Sequence, residues 1–394
     1  MNYVSRNPRK FLSAFTTLLL LNFFIAVHHF SIAYVNSSFI GQFVSAEFVS
    51  LIYMVASVCV IAALVAMPHI VLRFNTWVMF LVTIPVLQVV VFFLGFSNTI
   101  SSVVFFFIAQ GVMMFALRYI MDLYLESLAK DESKTGNTRG LFITAGNIGV
   151  FFGPIIISLI LIDGNFLPLY AFSALLLAPV FFIAIGPLRH IIPSAPKSVN
   201  VLGSIREITK CRVNIRSVMI VHFMMHLFNS IIAIYAPLYL FEIGGFSWQA
   251  IGTLIAIAQL PYLTLEVPLS ILADRFIGEK EIMITGLSVL SIMMILMSVT
   301  PLSLFLLWSV WFVGTRVGAS MVEIATESYF FKQVTEEDAS IISAFRILWP
   351  LGGVVAPAIA LLLLPFIPLG YLFAVFGFIF LTGIPVAMRL VDTR

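Results

Sequence analysis

The sequence is divided into runs of about 20 residues with almost no charge, and this feature limits the possible folds more than any other. The stretches from Leu18 to Val35 and from Val354 to Ile367 contain no Asp, Glu, Lys or Arg. An α-helix that crosses a hydrocarbon layer of about 30 Å needs roughly 20 mostly apolar residues, because each residue adds about 1.5 Å. Transmembrane β-strands instead alternate apolar and polar residues. The sequence therefore predicts a bundle of membrane-spanning α-helices.

The 394 residues provide twelve such runs, which Gly, Pro and charged residues separate. Only 10% of the residues are charged, against about 25% in a typical soluble domain, so lipid is the expected solvent. We number the predicted helices 1 to 12 along the chain. They cover residues 11–35, 48–70, 76–96, 101–127, 140–162, 167–187, 215–241, 248–272, 281–300, 302–330, 341–364 and 368–390.

The positive residues predict the orientation of these helices. Of the 21 Lys and Arg residues, Arg118 and Arg316 fall in the middle of predicted helices, and the others lie in the termini, in the even-numbered loops or in the helix ends that adjoin them. Because Lys and Arg are enriched in cytoplasmic loops, both termini are expected in the cytoplasm. The compact loops favour a bacterial or archaeal plasma (inner) membrane as the location of this multi-pass protein.

The first six and the last six helices resemble each other at an offset of about 200 residues. Asp122 and Glu126 in helix 4 return as Glu323 and Glu327 in helix 10. The repeat predicts an all-α membrane protein whose twelve transmembrane helices form two pseudo-symmetric six-helix bundles. The predicted domains are an N-terminal bundle at 1–190, a cytoplasmic linker with an amphipathic helix at 191–214, and a C-terminal bundle at 215–394.

The loop after helix 8 carries a family signature. Residues 272–280 read LADRFIGEK, with an intact Asp274-Arg275 core and one extra residue before Gly278. The loop is similar to the G-x-L-a-D-R-x-G-R-[KR] pattern of the major facilitator superfamily, and Ser270 takes the position of the first Gly. With its duplicated halves and basic central loop, the whole chain resembles that family. The resemblance implies a transporter in which helices 1, 4, 7 and 10 line a central cavity.

The first half matches other family patterns in part. Gly149, Gly153 and Pro154 resemble the G-x-x-x-G-P antiporter pattern of helix 5, which implies efflux by proton exchange. The loop between helices 2 and 3 keeps the Arg of the signature as Arg73 but has Leu72 in place of the acid. The resemblance therefore gives a stronger gate prediction for the second half than for the first.

Charged and histidine side chains inside the predicted helices are the candidates for a cavity. A charge at the centre of a bilayer costs about 3 kcal/mol on insertion scales, so such residues need a reason to persist. Away from the helix ends, and apart from Glu266 on helix 8, they lie on helices 1, 4, 7 and 10. The predicted residues of the substrate and proton cavity are Arg118, Asp122, Arg316, Glu323, Glu266, His28, His222, His226 and Asn229.

Two interpretations of these charges remain open. Arg118 and Asp122 are spaced i, i+4, so they could form an intrahelical salt bridge that serves stability alone. Alternatively, the three carboxylates Asp122, Glu266 and Glu323 outnumber the two arginines, and burial disfavours the ionised form of an acid. A surplus acid beside a solute site is the minimum requirement for proton coupling.

A second group of charges lies near the inner ends of the helices. Glu126 and Glu327 end helices 4 and 10 beside loops that carry arginines. Charge pairs there would close the cytoplasmic side in one conformation and break in the other. The predicted cytoplasmic gate consists of Asp274, Arg275, Arg73, Glu126, Arg139, Glu327 and Arg346.

The sequence thus predicts a secondary active transporter of a small solute, coupled to protons, with export as one interpretation of the helix-5 pattern. The alternatives are an uncoupled facilitator, a transport-inactive receptor, and a haem- or metal-binding membrane protein that uses His222, His226 and either His28 or His29. Polar lining is the favoured role of these histidines, so we expect no metal, no cofactor and no enzymatic reaction. The expected partners are the solute, protons and the lipid bilayer, without nucleic acid, and the chain is expected to act as a monomer.

Overall fold

The computed structural model describes residues 8–128, 135–162, 164–194, 203, 206, 208, 211–334 and 339–391, without the side chains of 8–11, 135–139, 187, 190, 266–267, 274–275 and 339–340. Twelve helices in this part are long and apolar enough to cross a membrane, as predicted, and it contains no β-strand. Helices 1 to 12 are Leu12–Gly41, Ala46–Arg73, Thr76–Gly95, Ile100–Leu128, Gly140–Ile160, Leu167–Ile185, Val213–Ile243, Trp248–Leu272, Glu279–Val299, Leu302–Gln333, Ile341–Leu363 and Tyr371–Met388.

Three of these spans are interrupted, and in each the first segment ends four residues before a proline. Helix 6 is divided into Leu167–Leu175 and Leu177–Ile185, helix 8 into Trp248–Thr264 and Glu266–Leu272, and helix 12 into Tyr371–Leu381 and Gly383–Met388. A proline has no N–H for the carbonyl four residues earlier, and its ring clashes with that carbonyl. The prolines that follow the three breaks at this spacing are Pro179, Pro268 and Pro385.

The signature loop forms a π-helical turn. The turn covers Ala273–Ile277, and the N–H of Gly278 donates to the carbonyl of Ala273 at 3.1 Å. Gly278 has a φ of 99°, which only glycine adopts at low cost, and helix 9 begins directly after it at Glu279. The glycine of the signature is thus needed where the chain turns into helix 9.

The first compact unit comprises Met1–Phe43, Cys59–Val199 and Ser247–Ala256. Helix 1 packs against helices 5 and 6, and helix 3 packs against helices 4 and 6. The glycines of the antiporter pattern form close contacts between helices 5 and 1. A Cβ on Gly149 would lie 2.7 Å from the carbonyl oxygen of Phe23 on helix 1, so only glycine permits this approach.

The second compact unit comprises Val44–Val58, Asn200–Phe246 and Ile257–Arg394. Helix 7 packs against helices 11 and 12, and helix 9 packs against helices 10 and 12. These are the neighbours that the repeat predicts from the first unit. Gly352 on helix 11 lies against His226 on helix 7, with 2.8 Å between a Cβ built on the glycine and the His226 Cβ.

The two pseudo-symmetric bundles of the predicted fold class are therefore confirmed. The domain limits at 1–190, 191–214 and 215–394 stay a prediction, and part of the linker lies outside the described residues.

Candidate functional site

In the first unit, helix 4 presents Arg118 and Asp122 one turn apart. Asp122 is an electrostatic partner of Arg118, as the i, i+4 spacing predicts. The Arg118 Cζ lies 6.0 Å from the ring centroid of Phe30 on helix 1, at the outer limit of a cation–π contact. Arg118 is half-buried, whereas Asp122 is exposed on the surface of the chain. This cation therefore has its counter-charge within its own helix.

His28 connects helix 1 to helix 6. Its side chain is fully buried, and Nδ1 lies 2.8 Å from the carbonyl oxygen and 2.9 Å from the Oγ of Ser173. A carbonyl only accepts, so Nδ1 carries the proton and donates. Ser31 Oγ is 3.0 Å from Ser173 Oγ, which adds a second polar contact between the same helices. His28 was expected in the cavity, and its described contacts lie between two packed helices.

In the second unit, Arg316 on helix 10 lies among aromatic rings. Its Cζ is 5.3 Å from the centroid of Phe228 on helix 7 and 5.6 Å from that of Phe312. The side chain is 3% exposed. Within the described part of the chain, its Nε and Nη2 atoms have no hydrogen-bond partner. No counter-charge comparable to Asp122 beside Arg118 is thus seen for Arg316 among the described residues.

His222 and His226 on helix 7 form a directed chain of hydrogen bonds. The Thr326 hydroxyl donates to the carbonyl of Glu323 at 3.0 Å, so its oxygen accepts from Nδ1 of His222 at 2.9 Å. A neutral His222 then has a bare Nε2, and Nε2–H of His226 donates to it across 3.0 Å. The chain ends at Nδ1 of His226, which has no hydrogen-bond partner among the described residues.

Aromatic stacking fixes the orientation of His222. The ring of Phe345 on helix 11 lies parallel to the imidazole with 4.0 Å between centroids, and Phe330 on helix 10 stacks on Phe345 at 3.9 Å. Helices 7, 10 and 11 thus meet in one column of three rings. Sequence reasoning missed Thr326 and Phe345 because their spacing to His222 is set by packing between helices.

The remaining cavity candidates have fewer described contacts. Glu323 and Asn229 are both half-buried, and the side chain of Glu266 lies outside the described residues. The described residues contain no group of three or more His, Cys, Asp or Glu side chains that could bind a metal ion. The metal hypothesis for the histidines therefore gains no support from this arrangement.

The predicted gate residues are only partly described. Arg73, Glu327 and Arg346 are exposed and Glu126 is half-buried. The side chains of three further gate residues, Arg139, Asp274 and Arg275, lie outside the described residues.

An ion pair that the sequence interpretation missed lies beside the signature loop. The Glu279 carboxylate is 1% exposed and pairs with Nζ of Lys332, which is 43% exposed at the end of helix 10. Ser328 Oγ donates to the same carboxylate oxygen at 3.0 Å. Glu279 takes the position at which the signature has Arg, so the departure from the pattern was the signal that could have identified this pair.

Comparison with known proteins agrees with this architecture. The model of the Major Facilitator Superfamily matches residues 218–394, while no curated protein matches the chain in sequence. The solved structure of a bacterial homologue of the human lysosomal transporter Spinster, inward-facing and unoccupied, is similar with a TM-score of 0.68 and 12% identity. That likeness covers 97% of this chain and 94% of the other.

A second similar structure is a point mutant of the nucleoside transporter NupG, with a TM-score of 0.73 and 15% identity. It covers 95% of this chain and 99% of that one. At such low identities the likeness concerns the fold. The signature loop, the duplicated twelve-helix fold and the match of the C-terminal half lead to one conclusion. The chain is a multi-pass membrane protein with the fold of these solved transporters, and its residues 218–394 match the Major Facilitator Superfamily, with the subfamily unassigned.

Proposed function

We propose that this protein is a secondary active transporter that moves a small solute by alternating access, driven by protons. The observation that carries the proposal is the repeated pair of membrane carboxylates, Asp122 and Glu323, on equivalent helices of the two compact units. Each has a membrane arginine on its own helix, four or seven residues earlier. Charges inside membrane spans are costly and typically mark substrate or ion pathways.

Proton coupling requires that binding of a proton changes the affinity for the solute, and the reverse. The acids proposed for this step are Asp122, Glu323 and Glu266. Because the arginine near Asp122 is its electrostatic partner, a proton on this acid would free Arg118 for another anion. Such competition between a proton and a solute group is a direct physical route to coupling.

The cytoplasmic gate is proposed to include Glu279 and Lys332 as well as the predicted gate residues. This pair joins the start of helix 9 to the end of helix 10, beside the signature loop. A buried carboxylate that loses its partner is strongly disfavoured, so the pair favours one arrangement of these two helix ends. Opening would require a new partner or access to water for Glu279.

The test is solute accumulation in liposomes that contain the purified protein. A thermal-shift screen supplies solutes that bind, and each is then offered with and without an imposed pH gradient. We expect accumulation above the external concentration only with the gradient, and loss of accumulation when a protonophore is added. Equilibration that ignores the gradient would replace the proposal by an uncoupled facilitator, and binding without any movement would favour a receptor.

The uncoupled facilitator is the second candidate, because the partnership of Arg118 and Asp122 also fits a role in recognition or stability alone. Export is proposed on the glycines of the helix-5 pattern, although their close contacts with helix 1 also explain them as packing residues. A plasma (inner) membrane location with cytoplasmic termini, and function as a monomer, complete the proposal.

A further inference from the structure

Arg316 is a buried cation inside a membrane span, and two of its hydrogen-bond donors have no acceptor in the part of the chain that the structure describes. The side chain is 3% exposed, and neither Nε nor Nη2 has a hydrogen-bond partner in the described residues. Buried donors without acceptors destabilise a fold, and charged donors do so most. As far as the described residues show, Arg316 therefore lacks acceptors that a bound anion would supply.

The two unpaired donors lie on one edge of the guanidinium group. Nε–H and one N–H of Nη2 point in the same direction, parallel to each other and within the plane of the group. A carboxylate has two oxygens at a matching spacing and accepts both hydrogen bonds at once. The unpaired edge of Arg316 is thus one half of a bidentate ion pair.

The aromatic neighbours of Arg316 do not compete for this edge. The rings of Phe228 and Phe312, at 5.3 and 5.6 Å from Cζ, attract the cation through their faces and do not replace in-plane hydrogen bonds. Phe312 is stacked on the fully buried Trp308, with 5.5 Å between centroids, which restricts its movement. The rings orient the guanidinium and give the surroundings of its unpaired edge an apolar character.

We infer that Arg316 binds a carboxylate group of the transported solute, through Nε and Nη2. The inference rests on the proposed transport function and adds the substrate class, an organic acid whose apolar body packs near Phe228 and Phe312. Arg118 gives the contrast within the same chain, because Asp122 already acts as its counter-charge.

Thermal-shift measurements on the purified full-length protein test this inference with matched acids and amides. Benzoate is compared with benzamide and hexanoate with hexanamide, and phenylphosphonate serves as an anion of different geometry. We expect each acid to bind at least about 10-fold more tightly than its amide, because only the acid supplies two charged acceptors. Equal shifts for acid and amide, or no shift with any acid, would overturn the inference. A response to phenylphosphonate without one to benzoate would overturn the carboxylate assignment.

Variants then locate the binding group. Arg316→Met is expected to remove the advantage of the acid, and Arg316→Lys to weaken acid binding roughly 10-fold, because lysine lacks the two-donor edge. Arg189 is the matched control, since it is exposed and lies 5.4 Å from the Trp77 ring, so Arg189→Met should bind acids like the wild type. Acid binding that survives in Arg316→Met contradicts the inference. If Arg316→Met does not fold, the comparison of acid with amide binding to the wild type still tests the inference.

Transport measurements separate this inference from the proposed function. If the solutes that bind are accumulated equally well by the wild type and by Arg316→Lys, with no preference for acids over amides, the carboxylate inference fails and the transporter proposal stands. If no solute that binds is moved by the wild type, the transporter proposal fails. Acid binding that depends on Arg316 would then still stand as a property of the site.

Discussion

Helices 4 and 10 are equivalent in the internal repeat, yet the surroundings of their membrane arginines differ. Arg118 has Asp122 as a counter-charge one turn away, whereas Arg316 is surrounded by aromatic rings and has Ser320 at the corresponding spacing. The acids of the two helices occupy matching positions, but the arginines do not. At the offset that relates Asp122 to Glu323, the residue equivalent to Arg118 is Ala319. The repeat thus retains a carboxylate in both halves and gives each half its own cation.

The largest expected effect is a loss of solute accumulation when the membrane carboxylates are replaced by amides. Asp122→Asn and Glu323→Gln, with Glu266→Gln beside them, are compared for accumulation and for exchange of solute against solute in liposomes. The acid that carries the proton should, as an amide, lose gradient-driven accumulation by more than about 10-fold and keep exchange, because binding survives while the titrating step is lost. Loss in one variant alone would show that the two halves have separate roles. Full accumulation in all three would contradict proton coupling through these residues.

A smaller effect is expected when the two membrane arginines are replaced. The free energy of unfolding should fall for the arginine of the first half and rise for that of the second. Arg118→Met removes the counter-charge of Asp122 and should lower the free energy of unfolding, because an acid inside a membrane span loses its electrostatic partner. Arg316→Met replaces a buried cation whose Nε and Nη2 have no acceptor among the described residues, so the free energy of unfolding should not fall and should rise by up to about 3 kcal/mol. Thermal melting of both variants without added solute measures this. Equal destabilisation would remove the distinction between the two arginines.

The smallest change in the free energy of unfolding is expected when hydrogen-bond partners of the buried histidines are removed. Thr326→Val removes the acceptor for Nδ1 of His222 and should cost about 1–2 kcal/mol, because a buried donor loses its partner. Ser173→Ala should cost less than about 1 kcal/mol, since the backbone carbonyl of residue 173 still accepts from His28. Melting of the two variants side by side measures the difference. A larger loss in Ser173→Ala would contradict the hydrogen-bond assignment.

The sequence predicted the helices well and their internal breaks poorly. Long apolar runs are a strong signal because lipid admits few other structures, and all twelve spans were found on that basis. The break near Leu176 follows from Pro179, but prolines such as Pro85 and Pro154 lie within uninterrupted helices. Whether a proline divides a membrane helix depends on the side chains that pack around it in the fold, and a single sequence does not show that packing.

The candidate site was predictable as a set of helices and not as a set of contacts. The position of Arg316 on helix 10 was evident from the cost of a charge in lipid. Its ring neighbour Phe228 comes from helix 7, and the partner Phe345 of His222 comes from helix 11. With 39 phenylalanines in the chain, no spacing rule singles out these two.

The π-helical turn at Ala273–Ile277 explains how the signature loop can be one residue longer while helix 9 still begins directly after its glycine. The signature loop has one more residue before Gly278 than the family pattern, and the bond from Gly278 to Ala273 spans five residues instead of the four of an α-helix. The surplus residue is taken up as a wider turn of backbone. Helix 9 therefore still starts at the residue after the glycine, with Glu279 in reach of Lys332. An insertion that would otherwise rotate everything downstream by about 100° is absorbed within a single turn.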